Sequence, residues 1–381
     1  MGYDERFTDE HRLFRKTVRE FFEREVAPHA LEWELEGTFP REIFTKAGAL
    51  GLFGINKRVD VGGSALDYWY TVAYAEELVR CRSGGVATAL MVQSDMATPI
   101  LDAIGSEALR AEFLAPAITG EKIAALGVTE PGAGSDVAAL RTVARRDGDD
   151  YVISGQKTFI SNGARADFVV TAVRTGGEGH KGISFVVVPT DAPGFSVGAK
   201  LEKVGNLASD TAELFFDEVR VPTRYRLGEE NQGFALVMSN FEGERLMVAL
   251  NAVATMALAI EDAVSYGRER EIFGRPVVGF QVWRHKLAER LTQIEAARQL
   301  TYHAADRFDR GLPATREITM AKLFASDLAQ QVLYDAQQLF GGAGYMLEYP
   351  IARAWRDVRL LTVGGGTSEV MKEIVARLEG L

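Results

Sequence analysis

Hydrophobic residues recur every three or four positions over the first third of the chain, the period of a helix with one buried face. A predicted helix begins at Thr8, and Pro40 opens a second. Two more predicted helices cover residues 66–79 and 86–104. Residues 1–120 are therefore predicted to form a mainly helical domain.

Short runs rich in β-branched and aromatic residues then replace the helical period. The predicted strands, separated by turns of glycine and aspartate, are Ile123 to Val128, Tyr151 to Ile153, Phe168 to Val173, Ile183 to Pro189 and Glu213 to Val219. Strands that follow one another without helices between them are typical of a β-barrel or sheet domain, here predicted over residues 121–230.

The helical period returns after Pro222. The predicted helices cover residues 233–266, 280–310, 315–340 and 368–378. Long helices joined by shorter loops suit an antiparallel four-helix bundle over residues 231–381. The fold class predicted from these patterns is α+β, with a helical domain, a β domain and a helical bundle in that order.

Composition and charge exclude several classes of protein. The net charge is −10 and basic residues are interspersed with acidic ones, which argues against a nucleic-acid partner. Cys81 is the only cysteine and the five histidines lack metal-site spacing, so neither a disulfide nor a metal is expected. The longest nearly apolar run, Met247 to Ile260, is shorter than the ~20 residues that span a bilayer. Met1 to Glu10 show no signal or transit peptide, so we expect a cytoplasmic protein with no membrane span.

Three distant stretches combine glycines with hydroxyl side chains, and they are Thr129 to Asp136, Gln338 to Tyr345 and Gly364 to Glu369. Glycine permits positive φ angles and a close approach of the backbone to a ligand. One such stretch alone would more often be a surface turn, but three together predict a ligand site. The chain has no GxGxxG motif and no strand–helix alternation, so a Rossmann nicotinamide site is not expected.

Five motifs together identify a family resemblance. They are TEPGAGSD at 129–136, Lys157 to Gly163, ERxxFGxP at 269–276, QxFGG at 338–342 and GGTSE at 365–369. In this order and spacing, the chain resembles the acyl-CoA dehydrogenases from about Phe7 to Arg377. These enzymes use FAD to desaturate acyl-CoA thioesters. The resemblance implies FAD, an acyl-CoA substrate, an electron-transfer flavoprotein as electron acceptor and a homotetramer.

The resemblance also implies which residues hold FAD. They are Leu126, Val128, Thr129, Gly134, Ser135, Phe159, Ile160, Ser161, Arg270, Phe273, Gln281, Gln338, Leu339, Gly341, Gly342, Thr367, Ser368 and Glu369. Of these, Arg270, Phe273 and Gln281 are expected to reach the cofactor of a neighbouring subunit. Leu126 stands where the family often has tyrosine, and Phe159 where it often has tryptophan, so one polar contact to the flavin is expected to be missing.

The catalytic base is expected to be Glu244. Many family members carry a glutamate immediately before the Gly-Thr of the last motif, but this chain has Gly365 there. A subset that includes long-chain and isovaleryl enzymes instead carries it on a long C-terminal helix, directly before an arginine, as Glu244 precedes Arg245. An arbitrary helix glutamate is more often simply solvated, and the missing carboxylate at Gly365 reverses that preference. The implied substrate contacts are Ser135, Arg245, Gly365, Gly366 and Arg377.

The substrate is less closely defined by the sequence. Ala87 and Met91 lie four positions apart on one predicted helix face, where the resemblance places the end of the acyl pocket. Because neither is polar and Ala87 is small, we expect medium or long acyl chains. An isovaleryl or short branched-chain substrate remains an alternative. So do an oxygen-using oxidase or flavin monooxygenase on the same fold, and a binding partner without catalytic activity.

Overall fold

The computed structural model of the protein describes residues 3–381. Met1 and Gly2, which belong to the predicted N-terminal domain and to the segment inspected for a targeting signal, lie outside the described residues. The helices of the N-terminal part are α1 (Asp9–Phe21), α2 (Ala30–Glu36), α3 (Glu42–Ala49), α4 (Tyr68–Leu78), α5 (Gly84–Met91), α6 (Thr98–Ile104), α7 (Glu107–Leu109) and α8 (Ala115–Ile118).

The predicted starting point of the first helix is confirmed. Thr8 caps α1 with its side chain, which accepts a hydrogen bond from the His11 N–H. The predicted helix over residues 86–104 is interrupted by a π-helical turn, Val92–Ala97, between α5 and α6. Such turns widen a helix locally and often occur at functional sites.

The middle of the chain forms one sheet. Its strands are β1 (Ala124–Gly127), β2 (Val143–Asp147), β3 (Asp150–Ser161), β4 (Phe168–Arg174), β5 (Ile183–Pro189), β6 (Phe195–Lys200), β7 (Thr211–Pro222) and β8 (Arg226–Leu227). They are ordered β6-β7-β3-β2-β4-β5-β8, and β1 pairs with β4 in parallel. In the parallel pair of β1 and β4, Ala124 lies opposite Phe168.

Strands β2 and β6 were not predicted because most of their residues are exposed, which removes the hydrophobic signal. β3 extends well past its predicted end because its second half, which includes Gln156 and Lys157, is polar in sequence. The buried strands β4 and β5 match their predictions within one residue.

The C-terminal part is again helical. It contains α9 (Gly233–Glu269), a short hairpin of β9 (Glu271–Ile272) and β10 (Arg275–Pro276), α10 (Gln281–Asp309), α11 (Thr315–Phe340), α12 (Pro350–Asp357) and α13 (Ser368–Glu379). The long helices match their predictions closely, whereas α12, a short helix that begins with a proline, was missed. The predicted α+β fold class is confirmed. The domain limits at 120 and 230 stay a prediction.

α9 is the central helix of the molecule. It packs against α10 and α11 and also against α4 of the N-terminal part. By length and composition α9 is the one described helix that could cross a membrane, but 67% of its most apolar window is buried inside the protein. That burial is typical of the core helix of a folded domain.

Buried carboxylates join the three parts of the chain. Glu34 on α2 accepts hydrogen bonds from the Ser83 hydroxyl at 2.7 Å and from the Leu207 N–H at 3.0 Å. Asp357 on α12 accepts from the Asn206 N–H at 2.6 Å and the Gly84 N–H at 3.3 Å. The loop around residues 206–208 is therefore held by both helical parts.

Candidate active site

Glu244 faces the glycine loop that precedes α13. A Cβ atom placed on Gly365 would lie 3.5 Å from the Oε1 atom of Glu244. The backbone of Gly365 has a φ of +67° and that of Gly366 a φ of +102°, conformations that favour glycine. A side chain at position 365 would thus begin in van der Waals contact with the carboxylate of Glu244.

Two cations hold this loop in place. Arg245 donates from Nε to the carbonyl of Gly365 at 3.1 Å, and Lys322 on α11 donates from Nζ to the carbonyl of Gly366 at 2.6 Å. Both side chains are buried. Lys322 was not among the predicted site residues. Its signal in the sequence is a lysine on the buried face of α11, four residues after Ile318.

The surroundings of Glu244 set its protonation. Burial raises the pKa of Glu244 to about 7, against the opposing effect of the charges on Arg245 and Lys322. Burial also lowers the pKa of Lys322 to about 8, and Arg245 adds to that effect. Near neutral pH the Glu244 carboxyl group is therefore poised to accept or release a proton, which general base catalysis requires.

A second group of predicted residues meets where β1 ends beside β3. The Thr158 N–H donates to the Thr129 carbonyl at 2.9 Å, which fixes the turn after β1 against β3. Lys157 reaches across the same junction, donating to the Val128 carbonyl at 3.1 Å and to Glu130 at 2.8 Å. The predicted flavin residues 126–129 and 159–161 are thus brought together.

Glu130 and Lys157 form a buried ion pair beneath this turn. Glu130 also accepts hydrogen bonds from the backbone N–H groups of Arg141 at 2.6 Å and Thr142 at 2.9 Å. Burial lowers the pKa of Lys157 to about 8, while Glu130 acts to raise it. Sequence reasoning assigned neither residue a role, because the pair depends on contacts between distant strands.

The surface at this junction is open and carries an exposed aromatic ring. Phe159 is 67% exposed and has a φ of +59°, a strained conformation for a bulky residue. A Cβ at Gly132 or Gly134 would meet no atom within 4 Å, so the turn beside it is open. In contrast, the side chain of Ile160 is buried in the core, and this residue can offer a ligand only its backbone. Among the other predicted residues here, Val128 is buried, Leu126, Thr129 and Ser161 are half-buried, and Ser135 is exposed.

The remaining predicted FAD residues form a separate group at the far end of α9. Arg270 and Phe273 lie on the β9–β10 hairpin, Gln281 begins α10, and Gln338, Leu339, Gly341 and Gly342 lie at the end of α11. The stacked rings of Tyr266 and Phe340, 4.3 Å apart, hold these helix ends together. Phe273 is 94% exposed. Because Arg270 follows Glu244 by 26 residues, it lies roughly 39 Å further along the helix axis.

Among the predicted site residues of α13, those at its start lie near Glu244, and Arg377 near its end lies in solvent. Thr367 caps α13 by accepting from the Val370 N–H at 3.3 Å, and the Ser368 hydroxyl donates to Asp327 at 2.7 Å. The helix start therefore directly follows the glycine loop beside Glu244. Arg377 near the end of α13 pairs with Glu373 and is largely exposed, so the structure does not bring it to Glu244.

Ala87 and Met91 line a cavity of about 90 Å³ between α5, α9 and the segment around α12. Both residues are buried. On α9, the lining begins at Asn251, two turns beyond Glu244. A cavity therefore lies at the two residues predicted to end the acyl pocket, along the helix that carries Glu244, and its role as that pocket stays a prediction.

Family comparisons cover nearly the whole chain. The models described as acyl-CoA dehydrogenase N-terminal, middle and C-terminal domains match residues 8–121, 125–219 and 231–379. The chain therefore belongs to the acyl-CoA dehydrogenase family, as the sequence motifs predicted. It is an oxidoreductase, and its cofactor is FAD.

Individual relatives agree with this assignment. The long-chain specific acyl-CoA dehydrogenase of Sus scrofa mitochondria is 41% identical over 97% of this chain and 86% of its own length. The crystal structure of acyl-CoA dehydrogenase from Geobacillus kaustophilus is 40% identical, with a TM-score of 0.95, and covers 98% of this chain and 99% of that one.

Two further solved structures concern the redox chemistry. A glutaryl-CoA dehydrogenase from Mycobacterium smegmatis in complex with FADH2 is 28% identical, with a TM-score of 0.93 over 99% of this chain and 96% of that one. A chain described under the electron transferring flavoprotein of Acidaminococcus fermentans is 36% identical, with a TM-score of 0.94 over 98% of both chains.

The buried pair beneath the flavin turn generates a testable prediction. Lys157→Met should lower the free energy of unfolding by about 3–5 kcal/mol, because it leaves the buried charge of Glu130 unpaired. The variant should also retain less FAD after gel filtration, since the turn at Thr129 loses its support. Chemical denaturation and the flavin-to-protein absorbance ratio measure the two effects.

The matched control is the double variant Lys157→Met/Glu130→Gln, which removes both charges and should recover part of the stability. If Lys157→Met alone were as stable and as rich in FAD as the unmodified protein, the pair would not support the turn.

Proposed function

We propose that the protein desaturates an acyl-CoA thioester to the trans-2-enoyl-CoA, with Glu244 as the base that removes the α-proton. The observation that carries this proposal is the 3.5 Å between the Glu244 carboxylate and a Cβ at Gly365, because the two alternative base positions of the family then serve one point in space. Because Gly365 has no side chain, Glu244 alone supplies a carboxylate at that point.

The surroundings of Glu244 support proton removal from carbon. When bound, FAD supplies the acceptor for the β-hydrogen, which leaves with its electron pair. Glu244 takes the α-proton on a carboxylate oxygen, and the electrons of that C–H bond form the new double bond. Arg245 and Lys322 place positive charge beside the site, where negative charge develops on the thioester as the α-proton leaves. We expect the Gly365 N–H to bind the thioester carbonyl.

The acyl group that we propose is of medium or long chain length. The cavity at Ala87 and Met91 begins two turns of α9 beyond Glu244, a distance that a short acyl group does not reach. Each buried CH₂ contributes up to ~0.8 kcal/mol to binding in such a cavity. The similarity to a relative named for long-chain substrates supports the same assignment.

Substitution of Glu244 tests the proposal. Glu244→Gln keeps the size of the side chain but removes the base, so the rate of flavin reduction by acyl-CoA should fall ~10²-fold or more. Anaerobic stopped-flow absorbance measures this rate. Binding of FAD and acyl-CoA should change far less.

A second carboxylate should restore part of the rate. The double variant Glu244→Gln/Gly365→Glu presents a carboxylate from the glycine loop instead of from α9, although the left-handed backbone at residue 365 costs stability. A Glu244→Gln enzyme that reduces its flavin at the normal rate would show that the base lies elsewhere.

We also propose that each FAD is shared between subunits of a homotetramer, with an electron-transfer flavoprotein as the acceptor. Arg270 and Glu244 are separated by roughly 39 Å along α9, which supports the assignment of Arg270 to the cofactor of a neighbouring subunit. The similarity to the chain described under the electron transferring flavoprotein of Acidaminococcus fermentans supports the choice of acceptor.

Assembly and cofactor retention should therefore be coupled. Arg270→Ala should lower the FAD content of the oligomer, because one cationic contact to the cofactor of the neighbouring subunit is lost. Sedimentation followed at a flavin wavelength measures this effect, and Arg268→Ala, two residues earlier in the last turn of the same helix, is the control. A monomer that holds FAD tightly would contradict the shared site.

A further inference from the structure

The cavity at the end of the proposed acyl pocket contains a polar group that an alkyl chain does not need. Its walls are mainly apolar, with Ala87, Met91, Leu258, Ile351 and Leu361 among the lining residues. Asn251 of α9 also lines it and is only 8% exposed. Among the described residues, the buried Nδ2 atom of Asn251 has no hydrogen-bond partner.

Besides Ser83, whose hydroxyl donates to Glu34, two hydroxyl side chains line the cavity with this amide. Thr255 lies one turn after Asn251 on α9, and Thr88 lies beside Ala87 on α5. All three side chains are uncharged and can donate as well as accept hydrogen bonds. The cavity therefore offers a small polar cluster within apolar walls.

The position of the cluster relates it to the proposed chemistry. Asn251 follows Glu244 by seven residues and Thr255 follows it by eleven, which correspond to roughly 10 Å and 16 Å along the helix axis. Val248 lies between Glu244 and Asn251 on the same face of α9. A Cβ atom placed on Gly365 would lie 3.9 Å from its side chain. Because a C–C bond is about 1.5 Å long, an acyl chain needs at least about seven bonds beyond the α-carbon to reach Asn251.

The energetics disfavour a plain hydrocarbon at this point. A buried donor that loses water without gaining a partner costs about 1–3 kcal/mol, and an alkyl chain in the cavity would impose that cost on Asn251. An anionic end group is disfavoured because Asp262 and Asp357 line the cavity and Arg82 is already paired with Asp262. A cationic ammonium group offers no acceptor for the Nδ2 donor of Asn251. An uncharged oxygen atom of the ligand would accept the hydrogen bond that the Nδ2 group of Asn251 can donate.

We propose that this cavity binds a hydroxyl group carried near the far end of a medium-length acyl chain, with Asn251 as its main partner and Thr88 and Thr255 beside it. The proposal rests on the proposed function, since it assigns the substrate class of the same site. It makes Asn251 a residue that determines specificity and leaves proton removal to Glu244.

The test compares acyl-CoAs with and without the hydroxyl group. The probes are 10-hydroxydecanoyl-CoA and decanoyl-CoA, with 8-hydroxyoctanoyl-CoA and 12-hydroxydodecanoyl-CoA and their unsubstituted counterparts to bracket the length. At the best length, kcat/KM should favour the hydroxyacyl-CoA by about 10-fold or more, because a site built to bond a hydroxyl rejects the analogue that lacks it.

Variants locate the effect. Asn251→Leu should lower kcat/KM for the preferred hydroxyacyl-CoA about 10-fold or more while leaving that for the unsubstituted chain equal or higher. Thr255→Val, which keeps its volume, should reduce the preference less. Thr292→Val, on the exposed face of α10, is the control and should leave the preference unchanged.

The outcomes separate the two proposals. If unsubstituted chains are oxidised at least as well as hydroxyacyl chains at all three lengths, or if both Asn251→Leu and Thr255→Val preserve the preference, the assignment of a hydroxylated substrate is wrong while the dehydrogenase activity stands. If neither kind of acyl-CoA reduces the flavin, the proposed function itself fails.

Discussion

The close approach of the Gly365–Gly366 backbone to α9 is the constraint on which the candidate site depends. Both residues have left-handed backbone angles, and their carbonyl groups are bound by Arg245 from α9 and Lys322 from α11. These two contacts hold the loop beside Glu244, although neither glycine has a side chain with which to anchor it. The packing of α9 and α11 against this loop also removes water from Glu244, and this burial raises the pKa of its carboxyl group.

α9 fixes the distances along the proposed site. It carries Glu244 in its first third, Asn251 and Thr255 in the cavity wall two and three turns later, and the hairpin with Arg270 at its end. A straight helix is a stiff element, so these separations do not depend on flexible loops. The helix therefore sets the distance from the proposed base to the cavity proposed for the end of the acyl chain. It also sets the distance from the base to the hairpin that is proposed to reach a neighbouring subunit.

Most of the fold could be predicted because the long helices and the buried strands carry strong periodic patterns. The exposed strands β2 and β6 and the short helix α12 lack such patterns and were missed. Glu244 could be proposed from the sequence because Gly365 stands where the family often has a carboxylate. Lys322, the Lys157–Glu130 pair and Asn251 could not, because their roles arise from contacts between distant segments. The individual FAD contacts stay predictions.

The most direct test of Glu244 as the base is a substrate analogue whose α-proton is removed but whose oxidation cannot be completed. In a 3-thiaacyl-CoA, sulfur replaces the β-carbon, so there is no β-hydrogen to transfer. Deprotonation at the α-carbon should then give a long-wavelength absorbance band between the resulting enolate and the flavin. With Glu244 in place, the band should appear, and it should strengthen as pH rises through about 7, the pKa of Glu244 in the protein without ligand, because only the ionised carboxylate accepts the proton. Glu244→Gln should bind the analogue without the band; a band of normal intensity in that variant would contradict the account.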